Sequence, residues 1–174
     1  MRALVDAERI RGFMRELGAK ATDDGLVYFT GGSTAVLEGW RAGTIDIDIK
    51  LVPELESVLR AIPALKESLH VNVELAAPDQ FIPPLEGWQE RSPSVGKEGR
   101  LAFHHYDFYA QALAKIERGH RQDLDDVREM FHRGAVDRAT LREHFQRIRP
   151  FLFRYPAVDA AKFEQAVDAA IRDL

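Results

Sequence analysis

The sequence predicts an α+β fold: a small mixed β-sheet backed by helices and followed by a C-terminal helical subdomain. Residues 44–51 alternate strictly, placing Ile45, Ile47 and Ile49 on one face of a strand and Asp46 and Asp48 on the other. Residues 26–30 and 71–75 read as two further strands. From Asp107 onward every stretch carries the apolar period of helices. This change of period sets the division, with residues 1–106 forming an α/β core and residues 107–174 a helical subdomain packed on it.

The chain opens on an amphipathic helix, because Ile10, Phe13, Met14 and Leu17 fall on one stripe, with Asp6 as cap and Gly18 as stop. After the strand at 26–30 come Gly31 and Gly32, then Ser33 or Thr34 as the cap of a helix reaching Trp40. Pro53 and Glu54 suit the first turn of a helix that carries Leu55, Val58, Leu59 and Ile62, and Pro63 should break or restart it. Residues 76–91 hold Pro78, Pro83, Pro84 and Gly87, and are expected to form an irregular loop pinned by Phe81 and Trp88. Residues 96–99 should turn a hairpin between a strand near Val95 and one over 100–106. Helices follow over 108–118, 122–132, 138–149 and 160–172, punctuated by Gly119, Gly134, Asp137, Pro156 and Asp159.

At 174 residues, 45% of them hydrophobic, the chain can bury one ordinary core with a small helical appendage. No apolar run approaches the roughly 20 residues of a membrane helix, and Asp6 turns the amino terminus acidic too early for a signal peptide. A cytoplasmic protein with no membrane partner is expected. The absence of cysteine excludes disulfides, thiolate metal sites and cysteine nucleophiles. With 28 acidic against 24 basic residues and a net charge of -4, the chain lacks the overall field of a polynucleotide binder. Such a partner must meet a local patch, for which Lys115, Arg118, His120 and Arg121, then Arg138, Arg142, Arg147, Arg149 and Arg154, are the candidates. Solvated helix faces are the other use of these cations.

Chemistry centres on Asp46 and Asp48, whose positions i and i+2 on a strand lie about 7 Å apart on one face. Like charges so placed repel unless a hard divalent cation takes their oxygens, and Mg2+ (or Mn2+) binds through one or two carboxylates plus substrate phosphates. By itself Asp-x-Asp is more often a solvated strand edge. Upstream, however, the order of strand, Gly31-Gly32-Ser33 and helix offers backbone N–H groups and a positive helix end to an anion.

The succession Gly31-Gly32-Ser33, Arg41, Thr44 and Asp46-Ile47-Asp48 resembles the signature of the DNA polymerase β-like nucleotidyltransferase superfamily. Lys115-Ile116-Glu117-Arg118, then Gln122-Asp123-Leu124 and Asp126, is similar to the Lys…Arg…Asp-hydrophobic-x-Asp motif of the AbiEii-like nucleotidyltransferases, the toxin branch of bacterial toxin–antitoxin pairs. More narrowly, residues 107–126 are similar to the DUF6036 families placed in that branch. The resemblance implies nucleotide binding by Gly31, Gly32, Ser33, Lys115 and Arg118, with Lys115 also counted as catalytic, and metal at Asp46 and Asp48. A third acid often completes such a site. Glu74 is the candidate, because the alternation of residues 71–75 points Asn72 and Glu74 away from the valines, and it could ligate metal or act as general base. Asp79 competes for that role. Asp123 and Asp126 share a helix face and would support the site by orienting Lys115 and Arg118.

The implied activity is metal-dependent in-line attack by an acceptor on the α-phosphate of an NTP, with two metals about 3.5 to 4 Å apart. RNA or a protein hydroxyl are the candidate acceptors, and a cognate antitoxin or toxin the candidate protein partner. A catalytically decayed nucleotide- or partner-binding module would use the same fold without turnover. A glycosyltransferase using Asp-x-Asp would need a longer doubly wound sheet. His104 and His105 are neighbours on a strand and so cannot share a metal. Phe151, Leu152, Phe153 and Tyr155 are assigned to the core of the helical part rather than to base stacking. Ser33 lacks the Gly-x-Ser-x-Gly elbow of a hydrolytic nucleophile.

Overall fold

The structure, a computed structural model, describes residues 4–174. It is α+β, with a five-stranded mixed open sheet and seven helices among the described residues. Two compact units are present: the first runs to Ala77 and resumes over Ser92–Tyr106, and the second joins Pro78–Arg91 to Asp107–Leu174. No helix among the described residues is long and apolar enough to cross a membrane.

In the first unit, α1 (Ala7–Lys20), α2 (Gly31–Leu37) and α3 (Glu56–Ser68) accompany β1 (Gly25–Thr30), β2 (Asp46–Val52), β3 (Asn72–Leu75), β4 (Ser94–Glu98) and β5 (Leu101–His105). The sheet order is β3-β2-β1-β5-β4. Strand β1 runs antiparallel to β2 and parallel to β5, while β3 pairs parallel with β2 and β4 antiparallel with β5. One sheet face is apolar, burying Val27, Phe29, Ile47, Ile49, Val73 and Phe103 in a cluster with Ile10, Phe13 and Leu17 of α1 and Val58 and Leu65 of α3. Each fully buried large side chain contributes about 1.5 to 3 kcal/mol. That burial fixes the register of β2, since a slip of one residue would carry Asp46 and Asp48 into the core.

Several local features depart from the sequence expectations, among them α3, which begins at Glu56 with Pro53 and Glu54 before it, and α2, which ends at Leu37 short of Trp40. Gly18 does not stop α1, which continues to Lys20; its missing Cβ, which would lie 2.4 Å from the Glu98 carbonyl oxygen, lets α1 press against the hairpin. Pro63 lies inside α3 rather than breaking it. Burial of Val58, Ile62 and Leu65 on both sides of it outweighs the loss of about 3 kcal/mol that an interior proline brings. The hairpin turns at Gly99 and Arg100 rather than over residues 96–99, because Gly99 takes a positive φ of 55° while Gly96 stays in β4 at a register shift. Finally, α2 starts at Gly31 with Thr30 as its cap residue, not at Ser33 or Thr34.

His104 and His105 face opposite sides of β5, as alternation requires. His104 lies with Nδ1 3.2 Å from the Ser92 carbonyl oxygen and its ring 5.5 Å from that of Tyr28. His105 is 3% exposed, with Nδ1 3.1 Å from Thr34 Oγ1 and Nε2 2.9 Å from Glu38 Oε1. Burial, assisted by His104, depresses its pKa from 6.5 to about 4. Glu38 favours the imidazolium, but its side chain is 39% exposed and screened by water, so burial prevails. The unfolded chain therefore takes up this proton below pH 6.5 and the folded chain only below about pH 4, so stability falls as pH drops through that window. The loss should total about 3 kcal/mol. Urea midpoints measured from neutral pH downward should show this slope in the wild type and a flatter one in His105→Gln.

The second unit holds α4 (Phe108–Arg118), α5 (Arg121–His132), α6 (Arg138–Ile148) and α7 (Ala160–Asp173), close to the expected spans. Asp107, Asp137 and Asp159 cap α4, α6 and α7 by accepting from the backbone N–H groups of Tyr109, Thr140 and Lys162. Leu113, Ile116, Val127, Met130, Leu141, Phe145, Phe163 and Val167 form its core. The loop over Pro78–Arg91 is irregular as expected, but Ile82 and Leu85 anchor it, at 0% and 2% exposure, whereas Phe81 is 53% exposed and Trp88 only half-buried. Arg91 Nη2 on Asp107 Oδ2 at 2.7 Å and Tyr155 Oη donating to the Asp79 carbonyl at 2.9 Å tie the loop down.

Phe151 and Phe153 correct the sequence reading most sharply. Expected in the core, they are 45% and 75% exposed, and of that run only Leu152 is buried. They sit in a 3-10 turn, Arg149–Arg154, where successive side chains stand about 120° apart and one in three can face inward.

Candidate active site

Asp46 and Asp48 project together from the polar face of β2, half-buried, while Ile47 and Ile49 between and after them are buried. Across the ladders Asp48 pairs with Thr30 of β1 and Glu74 of β3, and Asp46 pairs with Asn72. Cross-strand partners share a face, so the three acids and Asn72 form one polar surface with Lys50 following on β2. Asn72 donates its amide to Asp46 Oδ1 at 2.8 Å and to Glu74 Oε1 at 3.1 Å. Its nitrogen stands between two carboxylates and offsets their repulsion.

The glycine turn abuts this surface. Gly31 has a φ of 58°, and a Cβ on it would lie 2.8 Å from Asp48 Oδ2. A Cβ on Gly32 would lie 2.2 Å from Thr44 Oγ1 and 3.5 Å from Arg41 Nη1. The room left by both missing side chains is thus taken by the protein's own Asp48 and Thr44. Ser33 is fully buried; its hydroxyl accepts from the Asp48 N–H at 3.3 Å and reaches the Asp46 carbonyl oxygen at 3.5 Å. Thr44 Oγ1 donates to that same carbonyl at 3.1 Å. These bonds hold α2 against the start of β2, so the Ser33 hydroxyl braces the two aspartates instead of facing a ligand as the resemblance implied.

Lys115, Arg118, Asp123 and Asp126 meet one another in the second unit. Lys115 Nζ lies 2.6 Å from Asp126 Oδ2 and 3.6 Å from Asp123 Oδ1, and Arg118 takes both Asp123 oxygens at 2.7 and 2.5 Å. The Lys115, Asp123 and Asp126 side chains are 6%, 3% and 2% exposed, whereas that of Arg118 is 59% exposed. Burial alone would raise the Asp123 pKa, but the Arg118 hydrogen bond and the charges of Lys115, Arg118 and His120 hold it below the usual carboxylate value. The two acids hold the Lys115 ammonium and the Arg118 guanidinium in place. Lys115, however, is enclosed with its ammonium on carboxylates, which departs from the expectation that it meets a nucleotide.

Among the described residues no three histidine, aspartate or glutamate side chains are gathered closely enough to hold a metal ion on their own. Glu74 does not close a three-acid cage with Asp46 and Asp48, since the Asn72 amide stands between Asp46 and Glu74. Two same-face carboxylates do suit a hard cation whose remaining ligands come from phosphate and water. Asp79, the competing third acid, belongs to the second unit. Asn72 carries a role the sequence did not assign, bridging Asp46 and Glu74, although alternation around Val73 could have given it.

A mixed sheet with paired aspartates beside a glycine turn is in keeping with the nucleotidyltransferase class. The chain belongs to the family DUF6036, described as a nucleotidyltransferase of unknown function, whose model matches residues 7–165. No curated protein and no solved structure gives a significant match.

Proposed function

We propose that the protein is a metal-dependent nucleotidyltransferase that moves a nucleotidyl group from an NTP to an acceptor hydroxyl. The observation that carries this is the Asp48 carboxylate, which shares a face with Asp46 and lies directly against Gly31 with no side chain between. Asp46 and Asp48 would hold Mg2+ or Mn2+, which supplies charge neutralisation for the triphosphate and the departing pyrophosphate. Arg41, whose guanidinium lies at the Gly32 turn, would turn to phosphate oxygens when nucleotide binds, in place of buried Lys115. Glu74, exposed and paired with Asp48 across the strands, would take the acceptor proton as the new oxygen–phosphorus bond forms and the bond to pyrophosphate breaks. A toxin role with a cognate antitoxin, in the cytoplasm, is the biological setting that the motif in the second unit suggests.

The test is incubation with each α-labelled NTP, magnesium and a cell extract, followed by fractionation. Label should enter one acceptor fraction and disappear with chelator. Binding of magnesium–nucleotide without transfer to any fraction would overturn the reading in favour of a catalytically decayed module, which the missing three-acid cage would suit.

A further inference from the structure

We infer that the 3-10 turn Arg149–Arg154 is a docking site for single-stranded polynucleotide, with Phe151 and Phe153 stacking bases and Arg154 and Arg147 holding phosphates. The two rings are exposed while Leu152 between them is turned inward. The Arg154 guanidinium lies 5.3 Å from the centre of the Phe151 ring and 5.5 Å from that of Phe153, so it links both rings into one surface. Residues 147–155 contain Arg147, Arg149 and Arg154 and no acid, in a chain whose net charge is -4. Arg149 is held by Glu164 at 2.9 Å. Arg147 and Arg154 are exposed and make no ion pair with a carboxylate among the described residues.

Two flat π-faces joined by a cation match what a strand with unpaired bases offers: a base face for each ring and a phosphate charge for each guanidinium. A duplex hides its base faces and gains only the charge term. An apolar protein surface would leave Arg154 desolvated without a partner, which disfavours that occupant. The site lies wholly in the second unit, apart in sequence from the aspartate pair. It names a polynucleotide as the acceptor class of the proposed transfer and in that respect rests on that reading, but binding itself does not require turnover.

Fluorescence anisotropy of a labelled oligouridylate of about ten nucleotides, titrated with the full chain, tests the inference. The single strand should bind more tightly than a duplex of equal length. Phe153→Ala and Phe151→Ala should each weaken Kd by about 5-fold or more, with circular dichroism unchanged because both rings are exposed. Arg147→Ala should reduce the slope of log K against log salt by about 0.7. Asp46→Asn should bind the strand as the wild type does, because the aspartate pair is no part of this surface; strand binding by the wild type with no transfer to it would count against the catalytic reading alone and leave the docking site standing. No binding at low salt, or equal affinity in the Phe151→Ala/Phe153→Ala variant, would overturn the inference. So would an acidic peptide that binds through the same rings when the oligonucleotide does not.

Discussion

Asp46→Asn and Asp48→Asn should each lower magnesium-dependent transfer by about a thousand-fold while moving folding stability by less than about 1 kcal/mol. Asparagine keeps the shape of aspartate and one acceptor oxygen, so Asn72 still finds a partner at position 46. What is lost is one negative charge. A divalent cation held by two carboxylates and phosphate oxygens stabilises developing charge by several kcal/mol, and about 4 kcal/mol corresponds to a thousand-fold in rate. The fold loses little, because these side chains sit half-buried on the polar face, and removing one of several neighbouring negative charges relieves repulsion. Initial rates set beside urea midpoints would separate the two effects. A variant that unfolds but, where folded, transfers at the wild-type rate would show that the aspartates serve the sheet and not the chemistry.

The pairing of fold and acidic strand was legible because it depends on local period alone. Alternation over residues 44–51 put Asp46 and Asp48 on one face, and the helix spans of the second unit followed from apolar stripes and aspartate caps. Less legible was anything decided by a distant neighbour. Gly31 and Gly32 read as an opening for phosphate, yet Asp48 and Thr44, remote in sequence, occupy that room. Ser33 read as a cap, but it bonds β2. Pro63 read as a break because its cost is local, whereas the burial that overrides it lies in the packing of α3. Phe151 and Phe153 read as core because aromatic residues usually are, and only the three-residue period of the turn reveals that Leu152 alone can turn in.

Lys115→Met should cost about 3 to 5 kcal/mol of folding stability, more than any exposed charge in the chain. The substitution preserves much of the side-chain volume but removes the ammonium 2.6 Å from Asp126 Oδ2, beside a carboxylate with 2% of its side chain exposed. Asp123 keeps Arg118, so Asp126 carries most of the damage. Replacing both members, Lys115→Met with Asp126→Leu, removes the stranded charge, and the double variant should be more stable than Lys115→Met alone. This non-additivity, read from urea midpoints, is the signature of a buried ion pair. A lysine that bound nucleotide instead would give the opposite pattern, with stability changed by less than about 1 kcal/mol, as for an exposed cation, and nucleotide affinity lost. The enclosure of Nζ between Asp126 and Asp123 makes the first outcome the expected one. On that ground Lys115, Arg118, Asp123 and Asp126 are expected to act as an ionic cluster that stabilises the helical unit.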